Sequence, residues 1–145
     1  YYADAWGFPL AFECKVACEM ACFLGRYDRS KDLVLSARDG HRTFASITLD
    51  GSDPELAQGL AHLRWFVVDP QSRGKGVGRR LIDEAVGFAR RTGFERIFLT
   101  TFRGLDAAAT LYRRAGFAVV QEAEGQTWGR PVMEQRLELD LRPAP

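Results

Sequence analysis

The chain has 145 residues and a net charge of +1, from 20 Lys or Arg and 19 Asp or Glu. This length fits a single domain, and so small a charge argues against a dedicated nucleic-acid-binding protein, which carries a clear basic excess. No apolar stretch approaches the roughly 20 residues of a membrane-spanning helix, and the first ten residues lack the pattern of a signal peptide. We therefore expect one cytoplasmic domain over residues 1–145.

The first predicted element is a helix that follows Pro9 and ends near Gly25. Proline is favoured at helix starts and glycine just past helix ends. The segment is apolar around most of its circumference, so we expect it to be substantially buried. Its three cysteines recur every fourth residue on one helical face, and we expect them to be buried and reduced: Cys14, Cys18 and Cys22.

A hairpin and a third strand follow in the sequence. Two apolar runs, Leu33–Ala37 and Thr43–Leu49, flank Asp39-Gly40, a dipeptide that favours tight turns between strands. Residues 50–55 have the composition of a loop. Leu60–Val68 is a long apolar run that ends at a proline, which predicts a strand with a sharp end.

The second half of the chain alternates helical and extended patterns. Apolar residues recur with a helical period over Val77–Arg91, and Arg96–Phe102 is rich in strand-forming residues. Asp106–Ala115 reads as a short helix with Asp106 as its N-cap. Phe117–Glu122 and Val132–Leu141 complete the series as strands. This order predicts an α/β protein with a mixed sheet of six to seven strands flanked by helices.

The segment between the third strand and its helix carries the clearest chemical signal. Its glycines alternate with Arg73, Lys75 and Val77, so backbone N–H groups are left uncovered beside a helix N-terminus, which favours binding of a phosphate. A P-loop and a dinucleotide fingerprint both fail on spacing. The pattern [QR]-x-x-G-x-[GA] matches at Arg73, Gly76 and Gly78. Taken alone, the motif leaves open a glycine-rich turn without a ligand.

A second motif, A-x-x-L-Y-x-x-x-G-F, spans residues 108–117. The two motifs, in this order with a strand between them, resemble the GNAT superfamily of N-acetyltransferases. From about Trp6 to Leu141 the chain resembles the acetyltransferase half of bacterial proteins that fuse a MarR-type DNA-binding domain to a GNAT domain. The chain does not begin with Met, which fits a single GNAT domain that forms the C-terminal part of such a protein.

The resemblance implies a GNAT fold and acetyl-CoA as co-substrate, with no metal. It places the pantetheine arm on main-chain groups of the third strand and the pyrophosphate on the glycine loop. The implied coenzyme A contacts are Phe66, Val67, Val68, Arg73, Gly74, Lys75, Gly76, Val77, Gly78 and Arg79. Many family members carry Asn where this chain has Leu105, so that cofactor contact is lost or replaced by Asp106 or the Gly104 backbone.

The resemblance also suggests catalytic residues. Tyr112 matches the family tyrosine that protonates the departing thiolate, and a strand N–H near Val67 or Val68 is suited to the oxyanion. His62 takes the position at which some members carry a general-base Glu, and Glu134 on the last strand is a second candidate. Each of these side chains also has a purely structural interpretation. Trp128 and Arg130 are expected to line the acceptor side of the cleft together with Glu134.

The sequence thus predicts an N-acetyltransferase that moves an acetyl group directly from acetyl-CoA to a small-molecule or peptide amine. An acyl-CoA sensor attached to a DNA-binding domain, with little turnover, is the alternative, and a scaffold that binds no ligand is a third. We expect no direct nucleic-acid contact and no membrane contact. The sequence leaves open whether the chain forms a homodimer.

Overall fold

The structure, a computed structural model, describes residues 3–4 and 7–143. Trp6, at which the family resemblance begins, lies outside the described residues. The helices are α1 Leu10–Gly25, α2 Val77–Thr92 and α3 Asp106–Arg114, and a 3-10 turn covers Pro70–Ser72. The strands are β1 Leu33–Asp39, β2 Arg42–Asp50, β3 Leu60–Val68, β4 Arg96–Phe102, β5 Ala118–Gly125 and β6 Val132–Asp140. Every helix and strand described above was therefore predicted, with small shifts at the ends.

The strands form one mixed sheet in the order β1-β2-β3-β4-β6-β5. Only β3 and β4 are parallel, because α2 connects them as a crossover, and all other neighbours are antiparallel. The amphipathic α2 buries its apolar stripe, which includes Ile82, Ala85 and Ala89, in the main core. The predicted mixed sheet flanked by helices is confirmed, with six strands among the described residues.

The parallel pair β3–β4 separates partway along its length. Cα pairing covers only Leu60–His62 against Arg96–Phe98, although both strands continue well beyond these residues. In addition, β3 bulges opposite β2, and Trp65 at the bulge has a φ of 50°. The far half of β3 consequently has no described strand on its β4 side. The sheet opens there, and the backbone of β3 faces the opening.

The prediction that α1 is substantially buried is wrong. Of its 16 residues only Phe12 and Phe23 are buried, and Cys14, Cys18 and Cys22 are free and exposed. Each residue turns an α-helix by about 100°, so a cysteine two positions after Phe12 or Val16 points roughly 200° away from the face that meets the sheet. Composition alone could not show that α1 packs through a single narrow stripe.

Two local predictions also fail. Asp106 is the first residue of α3 and not its N-cap; that position is Leu105, which has no side-chain cap. Asp50, placed by composition in a loop, is the last residue of β2 and is fully buried. A buried carboxylate needs partners of opposite charge, and these partners adjoin the candidate site.

Candidate active site

The glycine loop leads into the N-terminus of α2 and borders one of two cavities at the open part of the sheet. Gly76 is the N-cap and has a φ of 76°, a left-handed conformation that costs other residues about 1–2 kcal/mol. Because this N-cap has no side chain, the first N–H groups of α2 stay uncovered beside a cavity of about 580 Å³, here called the loop cavity. The site therefore has the donors and the room that an anionic ligand requires.

Gly78 allows α2, α3 and β3 to approach closely beneath this cavity. A Cβ at Gly78 would lie 2.9 Å from Leu111 Cδ1, 3.3 Å from Phe66 Cζ and 3.5 Å from Val68 Cγ2. These neighbours also line the loop cavity. A side chain at this position would therefore push into the floor of the cavity.

Eight of the ten residues predicted to contact coenzyme A line the loop cavity. They are Phe66, Val68, Arg73, Gly74, Gly76, Val77, Gly78 and Arg79. Val67 instead faces a shallow pocket beside β2, and Lys75 lies near Arg38 and Arg42. Val67 was predicted to contribute main-chain atoms, a role that does not depend on the direction of its side chain.

A second cavity of about 230 Å³ lies on the α1 side of the opening and is here called the aromatic cavity. Its aromatic lining consists of Phe12, Trp65, Phe66, Phe102, Tyr112 and Trp128. Its charged and polar lining consists of Lys15, Glu19, His62, Arg64, Thr100, Thr101 and Thr127. Phe66, Leu105 and Ala108 line both cavities, so the two meet where β3 and β4 separate.

Tyr112 is held beside this junction by α3. Its ring centroid lies 5.9 Å from that of Phe66 and 5.9 Å from that of Phe117, and the residue is only 7% exposed. Its predecessor, Leu111, lines the loop cavity, whereas Tyr112 lines the aromatic cavity. The motif thus presents two consecutive side chains to two adjoining spaces.

His62 also lines the aromatic cavity, and its ring stacks on that of Phe98 at 4.1 Å. Burial lowers the pKa of His62 to about 3, and the positive charges of Arg64 and Arg136 act in the same direction while Asp50 opposes them. The imidazole is therefore neutral at pH 7. A base works best when its pKa is near the operating pH, so His62 is better suited to accept a hydrogen bond than to remove a proton.

This half-buried histidine should make the stability of the fold pH-dependent. From its ordinary value of 6.5 down to about 3, His62 binds a proton in the unfolded chain and not in the folded one. The free energy of unfolding is therefore not reduced by His62 above pH 6.5. It decreases as the pH falls below this value, by up to about 2 kcal/mol at pH 5.

Urea denaturation at pH 7 and at pH 5 measures this contribution. The free energy of unfolding should fall less between these two pH values in His62→Gln than in the wild type. His41→Gln, at the exposed β1–β2 turn, is the control and should behave as the wild type. Equal pH dependence in His62→Gln and wild type would contradict the buried, neutral state.

Glu134 lies outside the lining of the aromatic cavity. Its carboxylate accepts hydrogen bonds from the backbone N–H of Thr127 at 2.7 Å and from the Thr127 hydroxyl at 3.1 Å. It therefore orders the loop that carries Trp128, which does line the cavity. Arg130, also expected at this cleft, instead places its guanidinium 5.2 Å from the ring centre of Phe8.

The residues that sequence reasoning missed form an ionic network behind the aromatic cavity. Arg26 donates to both oxygens of Asp50, at 2.7 and 2.6 Å. Arg64 approaches Asp50 at 3.4 Å and donates to Glu19 at 2.7 Å, which ties α1 to β3. Burial opposes ionisation of Asp50, but the two guanidinium groups outweigh it and hold the pKa of Asp50 below its ordinary value. Since these residues lie far apart in sequence, no motif links them.

In the described part of the chain, no group of three or more His, Cys, Asp or Glu side chains is placed to hold a metal ion. Neither does any helix among those residues combine the length and apolar character needed to cross a membrane.

Similarity to known proteins identifies the family to which the chain belongs. The sequence pattern of the acetyltransferase (GNAT) family matches residues 5–117, which is most of the chain. The chain belongs to the GNAT family. The predicted enzyme class, an N-acetyltransferase that uses acetyl-CoA, is thereby confirmed at the level of the family.

Individual GNAT relatives agree with this result. An uncharacterised N-acetyltransferase from Schizosaccharomyces pombe is 28% identical over 83% of this chain and 72% of its own length. A mycothiol acetyltransferase from Propionibacterium freudenreichii is 38% identical over 47% of this chain, which spans only 22% of that protein. A structure from Salmonella typhimurium that holds acetyl-CoA as its cofactor superposes with a TM-score of 0.68 and 21% identity, covering 92% of this chain and 75% of that one. The last similarity confirms the GNAT fold.

Proposed function

We propose that this GNAT chain transfers the acetyl group of acetyl-CoA directly to the amine of an acceptor in a ternary complex. The observation that carries the proposal is the meeting of the loop cavity and the aromatic cavity at the open part of the sheet, beside Tyr112. One cavity offers an anion site of the kind that a pyrophosphate requires. The other is separate and partly apolar, so donor and acceptor would be held side by side.

In this proposal acetyl-CoA enters along the loop cavity. Backbone N–H groups of residues 74–79 bind the pyrophosphate, with Arg73 and Arg79 adding positive charge. The pantetheine arm pairs with main-chain groups of Phe66, Val67 and Val68 in place of the strand that β3 lacks there. Leu105, which lines both cavities, supplies apolar contact where many family members carry an Asn amide.

The chemical step needs only groups that surround the junction. The neutral amine attacks the thioester carbonyl, an N–C bond forms, and a strand N–H near Val67 or Val68 stabilises the oxyanion. The C–S bond then breaks, and the hydroxyl of Tyr112 gives its proton to the thiolate. The proton that the amine loses returns through water to the Tyr112 oxygen, so the products are the acetamide and free coenzyme A.

The acceptor ammonium must lose a proton before this step. We propose that neutral His62 assists by accepting a hydrogen bond from the amine or from a water beside it, because its low pKa suits it to little more. We assign Glu134 a positioning role through Thr127, since it lies outside the cavity lining.

A coenzyme A release assay over a panel of amines tests the proposal. We expect free coenzyme A to form with at least one primary amine, together with the acetylated product detected by mass spectrometry. A second measurement, the thermal shift with acetyl-CoA alone, is expected to be positive. A shift without turnover on any amine would contradict acetyl transfer and support the acyl-CoA sensor, and the absence of both would support a scaffold that binds no ligand.

We further propose that residues 1–145 form a single acetyltransferase domain and that it works in the cytoplasm, since three free, exposed cysteines suit a reducing compartment. Attachment to a MarR-type DNA-binding domain stays a prediction from the sequence resemblance, because the family match and the relatives described above name no such domain.

A further inference from the structure

The charged residues of the aromatic cavity are not balanced. Among the described residues that line it, Lys15 and Arg64 are cationic and only Glu19 is anionic. Asp50 adjoins Arg64 from behind, but both of its oxygens already accept short hydrogen bonds from Arg26. His62 adds no charge at pH 7. The lining thus carries one positive charge in excess, which attracts an anion and repels an acceptor that is only cationic.

Arg64 is held rigidly in this lining. Its guanidinium lies 4.4 Å from the ring centre of Trp65, donates to Glu19 at 2.7 Å and reaches Asp50 at 3.4 Å, and its side chain is only 15% exposed. A guanidinium fixed in this way keeps its positive charge in one place at the cavity wall, at little entropic cost on binding.

Lys15 is the more available of the two cations. Its ammonium lies 3.9 Å from Glu19, and its side chain is 47% exposed. An exposed ion pair with so long a distance contributes little to stability. A ligand carboxylate can therefore replace Glu19 as the partner of Lys15 or bind Lys15 together with it. Lys15 and Glu19 belong to α1 and Tyr112 belongs to α3, so both helices contribute to the lining of this cavity.

We propose that the acceptor is an apolar amine that also carries an anionic group, such as a carboxylate, and that Lys15 with Arg64 binds this group. The apolar part would rest on the rings of Phe12, Phe102 and Trp128. The ring centroid of Trp128 lies 5.2 Å from that of Phe12 and 5.1 Å from that of Phe102. This inference rests on the proposed acetyl transfer and specifies the chemical class of its acceptor.

The apolar walls of the cavity would help the reaction. Desolvation favours the neutral form of an amine, and this includes the acceptor ammonium. Burial is also the main cause of the lowered pKa of His62, which lines the same cavity. The anionic group secures binding at Lys15 and Arg64, while desolvation promotes formation of the nucleophilic amine.

Matched amine pairs test the inference: phenylalanine against phenylalaninamide, and leucine against leucinamide, with coenzyme A release as the readout. Wild type is expected to favour the carboxylate member by about tenfold or more in kcat/KM, the effect of one charge-assisted hydrogen bond. Lys15→Met should abolish the preference, because it should raise the KM for the carboxylate member far more than the KM for the amide member. Lys31→Met, which removes an exposed lysine outside the cavity, is the matched control and should keep the preference.

Equal acetylation of both members of each pair, or an unchanged preference in Lys15→Met, would overturn the inference and leave the proposed acetyl transfer intact. Acetylation of neither member, while larger or non-anionic amines in the wider panel react, would also overturn it. If no amine reacts although acetyl-CoA binds, the proposed function itself fails.

Discussion

Replacing Tyr112 by Phe is expected to lower kcat by about 100-fold or more, the contribution typical of a positioned general acid. The ring contacts with Phe66 and Phe117 remain in this variant, so the fold and the junction of the two cavities should be preserved. The KM for acetyl-CoA should therefore change little. Steady-state kinetics with a reacting amine, together with a thermal unfolding curve, measure both quantities.

Tyr27→Phe is the control for this substitution. The Tyr27 hydroxyl donates to the backbone oxygen of Asp32 at 3.4 Å, and the residue lies outside both cavities. It should have the kcat of the wild type. If Tyr112→Phe also kept the wild-type kcat, the thiolate would take its proton from another source, and the acid role of Tyr112 would be wrong.

Replacing Gly78 by Val is expected to weaken acetyl-CoA binding. The new Cβ would lie 2.9 Å from Leu111 Cδ1 and 3.3 Å from Phe66 Cζ, so the side chains that form the floor of the loop cavity must move. Overpacking of this kind costs about 1–3 kcal/mol, which corresponds to a rise of roughly 5- to 150-fold in the Kd if the strain falls on the bound state. Isothermal titration calorimetry with acetyl-CoA measures the change.

Gly87→Val provides a matched control in the same helix. A Cβ there would meet only the flexible end of the Arg91 side chain, at 3.1 Å, and Gly87 lies outside the loop cavity. The Kd of this variant should stay at the wild-type value. A Gly78→Val protein that is folded and binds acetyl-CoA as tightly as wild type would show that the ligand does not use this cavity.

Local patterns in the sequence were sufficient to predict the order of the elements. The Asp39-Gly40 turn and the helical period of α2 each depend on neighbouring residues, and each appears in the structure. The glycine loop was also readable, because a positive φ at Gly76 and a close approach at Gly78 are demands that only glycine meets easily.

Long-range features could not be predicted in the same way. The burial of Asp50 depends on Arg26 and Arg64, which approach it only after α1, β2 and β3 have packed. The exposed cysteines depend on which stripe of α1 meets the sheet, and an apolar circumference does not specify that stripe. The pKa of His62 likewise depends first on burial and then on charges that include Arg136 from the far end of the chain, so residue type alone does not show that this histidine is poorly suited to act as a base.

In the proposed mechanism, acetyl-CoA lies along the loop cavity with its thioester at the junction of the two cavities. A crystal structure of the complex with acetyl-CoA tests this placement most directly. We predict that the pyrophosphate accepts hydrogen bonds from backbone N–H groups of residues 74–79 and that the sulfur lies within hydrogen-bonding reach of the Tyr112 hydroxyl. A pantetheine arm that avoids the opening between β3 and β4, or a sulfur remote from Tyr112, would contradict the account.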